Sequence, residues 1–188
     1  MIARIPVALL LMFASVNLAE FGWIQGKGLL DQWLMQRSWA ESVAGTETEP
    51  APPWPGARTR PAARLFVPDL KIDRLVIRGT ETPNLAWGPG IERGPNGHVL
   101  IAAHRDTHFR FLGDLQPGHR IELEQPAGVI RNWRVNDRRV VDSRNTQIDL
   151  GAPGPLLTLV TCWPLDAPEA GGPLRLVVSA VPAEGEKS

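Results

Sequence analysis

Pro155-Leu156-Leu157-Thr158-Leu159-Val160-Thr161-Cys162-Trp163-Pro164 holds the only cysteine of the chain. Leu, Val and Thr dominate this stretch, no glycine or charge interrupts it, and proline bounds it on both sides. A short apolar run so bounded reads as a buried β-strand. Pro164 has no N–H to give to a ladder, so the strand stops near Trp163 and leaves Cys162 at its end. Most free cysteines are small core hydrophobes. A thiol at a strand end beside Thr158 and Thr161 has a second use, as a presented nucleophile.

Working outward, two further strands flank this one in the reading. Gly97 to His104 follows a Pro95-Asn96 turn signal and is an apolar run ending at His104. Leu174 to Ala180 is a second such run, with Arg175 beside its start. Shorter candidates lie at Ala63 to Pro68, Lys71 to Asp73, Leu75 to Ile77, Arg120 to Glu124, Val129 to Val135 and Arg138 to Val141. Asn84 to Trp87 reads as one helical turn, Arg105 to Leu115 as a short helix or loop, and Arg144 to Asp149 as a loop. The 18 glycines and 18 prolines are spread between these runs rather than massed in one tract. Many short strands without crossover helices predict an all-β barrel or sandwich.

The chain carries 20 acidic and 20 basic residues, so no bulk field recommends nucleic acid or a membrane surface as partner. One cysteine excludes an internal disulfide. No internal repeat and no glycine-rich phosphate loop is found.

The amino-terminal part is built differently. Ile5 to Ala19 is apolar except for Ser15 and Asn17, follows Arg4, and continues through Phe21-Gly22-Trp23-Ile24. About 20 such residues suffice to cross a bilayer. A cleaved signal peptide is the rival, poorly served by Asn17-Leu18-Ala19 before a cut. Residues 1–24 are therefore read as an uncleaved anchor with its amino terminus in the cytoplasm. Residues 25–44 follow as a juxtamembrane amphipathic helix, its apolar set Leu29, Leu30, Trp33, Leu34, Trp39 and Ala40 facing either the interface or the globular domain. Residues 45–61 are a Pro-rich linker, 62–181 the globular domain and 182–188 a tail.

Cys162, His104 and Arg175 thus stand at strand termini, and together they meet the needs of acyl transfer. A cysteine nucleophile requires its thiolate, which a nearby imidazole favours. The transition state needs a donor for its oxyanion, a role open to a guanidinium or a backbone N–H. Singly, each residue has an ordinary use: His104 as a satisfied histidine, Arg175 as a surface charge. A metal protein is an alternative, since His104 and His108 are four apart and His98, His119 and Cys162 could add ligands. No Glu follows His104 directly, as a helical zinc motif would require. A non-catalytic, membrane-tethered β module is a third class.

Three segments resemble the sortase family, in family order. Thr158-Leu159-Val160-Thr161-Cys162 is similar to the sortase signature Thr-Leu-x-Thr-Cys, Ile101 to Phe109 to its histidine segment, and Leu174 to Val178 to its arginine strand. The lead-in Gly22 to Trp39 with Pro53-Trp54-Pro55 further resembles the Gram-negative (class GN) sortases. This resemblance implies a sortase β-barrel with short helices in its loops and a thiol transpeptidase that needs no cofactor or metal. By the resemblance Cys162 is the nucleophile, His104 the acid–base and Arg175 the oxyanion donor, with Thr161 a substrate contact. The implied partners are a secreted protein bearing an LPXTG-like C-terminal sorting signal and an amine acceptor. The implied location is the inner membrane, single-pass, with the domain in the periplasm. Asp106 is expected to cap a helix rather than orient a histidine, and His108 to serve positioning or packing.

Overall fold

A computed structural model describes residues 29–46, 49–168 and 171–183. The expected anchor, residues 1–24, lies outside the described residues, as does the tail beyond residue 183. No described helix is long and apolar enough to cross a membrane.

Eight strands close into one barrel. They are β1 (Pro61–Val67), β2 (Ile72–Arg78), β3 (Gly90–Arg93), β4 (Val99–Ala102), β5 (Arg120–Glu124), β6 (Ile130–Asp142), β7 (Leu157–Cys162) and β8 (Leu174–Pro182). Around the barrel the order is β1-β2-β3-β4-β7-β8-β6-β5, and β5 pairs with β1 to close it. Closure removes the exposed edges that an open sheet would present. Most neighbours are antiparallel; β4 and β7 run parallel, as do β2 and β3.

Alternation along each strand sets the inside and outside. Ala63, Leu65 and Val67 on β1, Val99 and Ile101 on β4, Leu157 and Leu159 on β7, and Leu176, Val178 and Ala180 on β8 fill the interior. Each fully buried leucine or isoleucine there contributes about 1.5–3 kcal/mol. The segment after β4 plugs one end of the barrel with Phe109, Phe111, Leu112 and Leu115. It forms a 3-10 turn at Arg110–Gly113 rather than a longer helix.

The structure departs from the sequence expectation in three places. The two candidates Lys71 to Asp73 and Leu75 to Ile77 are one strand, β2. Likewise Val129 to Val135 and Arg138 to Val141 belong to one strand, β6, whose register shifts between Val135 and Asp137. A bulge absorbs the extra residue, so the inward periodicity breaks without ending the strand. Strand β3 had no counterpart at all: Gly90-Ile91-Glu92-Arg93 is too short and too polar to register as an apolar run. Gly90 is required there by proximity, because a Cβ would collide with the backbone carbonyl of Gly79.

The amphipathic helix α1 (residues 29–44) docks on the barrel. Met35 and Trp39 are buried, and the Trp39 Nε1–H donates to Glu124 Oε2 at 3.2 Å. Leu29, Leu30 and Trp33 remain exposed. The apolar set is therefore split, one stripe packing on the domain and one turned to solvent. The Pro-rich segment also contacts the rest of the molecule. Ser38 Oγ donates to Ala51 O, Thr59 Oγ1 donates to Arg78 O, and the Trp54 ring lies 5.8 Å from that of Trp87. These contacts hold it along the barrel wall.

Candidate active site

Strand parity and register bring three distant residues to one level of one face. On β7 the inward positions are Leu157, Leu159 and Thr161, so Cys162 points outward. On β8 the inward row starts at Leu176, so Arg175 also points outward, and it is the direct antiparallel partner of Cys162. On β4 the parallel register pairs Ala102 with Val160, and the Ala103 N–H continues the ladder to Val160 O at 3.2 Å. His104 therefore stands level with Cys162, on the outward face. Neighbouring strands are about 4.8 Å apart, so the backbones of residues 104, 162 and 175 lie on adjacent strands at one level. Cys162 is half-buried and His104 exposed, so both are accessible to a bound chain.

The Arg175 guanidinium is anchored at its base. Its Nη1 donates to Gly172 O at 2.7 Å and Leu174 O at 2.9 Å. Nε and Nη2 have no acceptor among the described residues. Among the described residues, one edge of the fork is thus available to an external oxygen. Half-buried Leu100, Ala102 and Val160 occupy the same outward face next to His104 and Cys162, giving a partly apolar floor. Clefts of about 730, 330 and 350 Å³ elsewhere on the surface contain none of the three residues.

Thr161 is placed differently from its expectation as a substrate contact. It faces inward, is 2% exposed, and its Oγ1 donates to Ala103 O at 2.8 Å. That bond ties the strand bearing the thiol to the residue preceding His104, so the hydroxyl is spent inside the barrel. Arg105 was not singled out in the sequence, yet it is the second tie. Only 4% exposed, it sends Nη1 to Pro164 O at 2.8 Å and Nη2 to Ala167 O at 3.0 Å. It thereby holds the loop after Cys162 against the segment after His104. Asp106 caps no helix; its carboxylate accepts from Arg105 Nε at 3.2 Å.

The other histidines have different surroundings. Burial pushes the His108 imidazole below the ordinary histidine range, with Arg74 and His104 acting in the same direction. His98 is buried between Asp149 O and Thr158 Oγ1. His119 Nδ1 accepts from the Gln116 N–H at 3.3 Å. Among the described residues no group of three or more His, Cys, Asp or Glu side chains is arranged to hold a metal ion.

Residues 65–183 match the family model of the sortase domain, which is most of the chain. The chain belongs to the sortase family. Sortases are cysteine transpeptidases, and the single thiol beside a histidine is consistent with that chemistry. This sortase is 28% identical over 106 residues to sortase D of Bacillus subtilis, covering 53% of each chain, so it spans about half the length of that curated relative. Its fold is similar to a Clostridium perfringens sortase D5 transpeptidase at 20% identity and a TM-score of 0.63, over 82% of this chain and 98% of the other. It is also similar to sortase A of Corynebacterium diphtheriae, at 20% identity and a TM-score of 0.58, over 83% and 84%. These structural likenesses bear on the fold, an eight-stranded sortase-like barrel, and leave the class within the family open.

Proposed function

We propose that this sortase is a membrane-anchored transpeptidase of the Gram-negative class that cleaves an LPXTG-like sorting signal through a thioacyl intermediate on Cys162. The observation that carries the reading is the common level and face of three positions: His104 two residues past β4, Cys162 at the end of β7 and Arg175 near the start of β8. Cys162 and Arg175 are register partners and His104 continues the neighbouring strand, so chemically complementary groups from well-separated parts of the chain fall on adjacent strands.

In this mechanism the Cys162 thiolate attacks the carbonyl carbon of the signal's threonine. The carbonyl oxygen takes the negative charge, and the free edge of the Arg175 guanidinium stabilises it. Collapse breaks the Thr–Gly bond as the His104 imidazolium gives its proton to the leaving amine. The product is a thioester between Cys162 and the threonine, with His104 neutral. An acceptor amine then attacks the thioester, His104 takes its proton, and the thiolate leaves. Both groups return to their starting states.

Proline at the second position of the signal presets its φ and lowers the entropy lost on docking. The first position takes Leu or Val, because one methylene discriminates weakly in an apolar pocket. The secreted partner carries this pentapeptide near its C terminus, and the apolar run at residues 5–24 holds the enzyme in the inner membrane with its barrel in the periplasm. A peptide library with an amine acceptor tests the substrate: cleavage before the final glycine is expected, with loss when proline becomes alanine. Cleavage indifferent to proline would leave only a cysteine hydrolase of other specificity. Membrane fractionation tests the anchor, against a soluble product beginning near Glu20.

A further inference from the structure

The end of β4 opposite to His104 opens into the cleft of about 730 Å³, lined in part by Arg60, Arg78, Arg93 and Arg131. Val99 at that end and His104 at the other are separated by roughly 17 Å of extended strand. Parity shows how these side chains reach the cleft. Arg93 continues the inward row of Ile91 on β3, and Arg131 continues that of Trp133 and Val135 on β6. Gln125 follows Ile121 and Leu123 of β5 in the same alternation. Three polar groups therefore stand where the core rows run out, at the open mouth of the barrel.

Among the described residues the charges there do not cancel. Glu49 is shared by Arg78 and by Arg60, the latter at 3.5 Å. Glu92, the other carboxylate of the cleft, accepts from Thr80 Oγ1 at 3.4 Å. Among the described residues Arg93 and Arg131 have no carboxylate partner, and four guanidinium groups face two carboxylates. Crowding by protein, and then the facing Arg131, push the Arg93 guanidinium below the ordinary arginine range. Arg93 keeps solvent access, so it stays charged beside a like charge. The Gln125 amide nitrogen is buried without an acceptor. Among the described residues, donors without acceptors and a net excess of two positive charges are the complement of a dianion.

We propose that this barrel mouth is a phosphate-binding site, with Arg93 and Arg131 as its principal ligands. A phosphate monoester carries close to two negative charges at neutral pH and presents several oxygens to planar guanidinium forks. A carboxylate would match only half the excess. The phosphate belongs either to a soluble phosphorylated molecule or to a lipid headgroup. The site lies beside the C-terminal part of α1, where Val43 approaches Gly128, whereas Gln32 and Gln36 share another cleft with Thr107 and His108 at the catalytic end. That placement favours the soluble source.

Full-length protein in neutral detergent, titrated calorimetrically with inorganic phosphate at low ionic strength, tests this. Saturable binding of one phosphate per chain is expected, weakened at least tenfold in the Arg93→Gln/Arg131→Gln protein with its thermal transition retained. Should the double variant fail to fold, the exposed Arg131→Gln substitution alone must still weaken binding several-fold. Flotation with phosphatidylcholine vesicles, with or without phosphatidic acid, separates the sources: equal association with both supports a soluble ligand. A phosphatidic-acid-dependent gain that requires Arg93 and Arg131 keeps the site and assigns it to lipid. No saturable phosphate binding, or binding undiminished by the substitutions, overturns the proposal.

Discussion

Two histidines on the outward face of β4's line, His98 and His104, each stand opposite a β7 residue, and they could hardly be used more differently. His98 meets Thr158 at 2.9 Å, and its second nitrogen reaches Asp149 O at 3.1 Å. It is 2% exposed and both ring nitrogens are occupied. His104 stands level with Cys162, exposed, with Arg175 next in line. The same strand pair thus closes one end with a satisfied imidazole and presents an accessible one at the other. A histidine with two protein partners holds a loop. One left accessible beside a thiol can move a proton.

The comparison breaks most sharply at the thiol. Cys162→Ala should lower cleavage of a sorting peptide by roughly a thousandfold or more, with little loss of stability because the removed volume is small. His104→Ala should cost about 10²–10⁴ in turnover, and Arg175→Ala about 10²–10³. His98→Ala should do the reverse. It leaves Thr158 and the Asp149 carbonyl without their partner, costing about 1–3 kcal/mol in denaturant unfolding while turnover of the folded enzyme falls less than tenfold. If His98→Ala and His104→Ala reduced turnover equally at unchanged stability, the distinction between the two ends would be wrong.

Thr161→Val sharpens the same contrast more gently. It deletes the hydroxyl that holds Ala103 O, at about 1 kcal/mol, and should lower turnover severalfold by loosening the alignment of His104 with Cys162. A rise in peptide KM at unchanged kcat would instead make Thr161 a substrate contact.

The smallest effect concerns His108. Its pKa lies below the unfolded value, chiefly through burial, so the native state resists protonation that the unfolded chain accepts. Its contribution is complete above about pH 6.5 and is lost as pH falls below that value. His108→Gln should therefore reduce the drop in urea midpoint between pH 7.5 and 5.5 and leave cleavage at pH 7.5 nearly intact.

How much of this was legible follows from what each feature needs. The strand-end positions of Cys162, His104 and Arg175 were readable because each ends or begins an apolar run, and strand ends are marked by proline and charge. Their common face was not readable, since it depends on which strands pair and in which register. Strand β3 left no trace because Gly90-Ile91-Glu92-Arg93 holds a single large apolar residue, while its pairing comes from the β2 and β4 backbones. Arg105 is a tertiary tie: its sequence neighbours His104 and Asp106 suggest chemistry or solvent, whereas its partners are the carbonyls of Pro164 and Ala167. A charged side chain directly after a buried strand was the only available signal. The docking of α1 was half legible, because its apolar residues fit both an interface and a domain surface.

The most direct test of the central claim is intact-protein mass spectrometry of the enzyme mixed with a Leu-Pro-x-Thr-Gly peptide and quenched in acid. A transient adduct with the mass of the acyl fragment ending at threonine, mapping to Cys162 after digestion, is expected. It should disappear on adding an amine acceptor, be absent from Cys162→Ala, and form far more slowly in His104→Ala. Peptide cleavage at the parental rate with no adduct on Cys162, or in the Cys162→Ala protein, would contradict the claim.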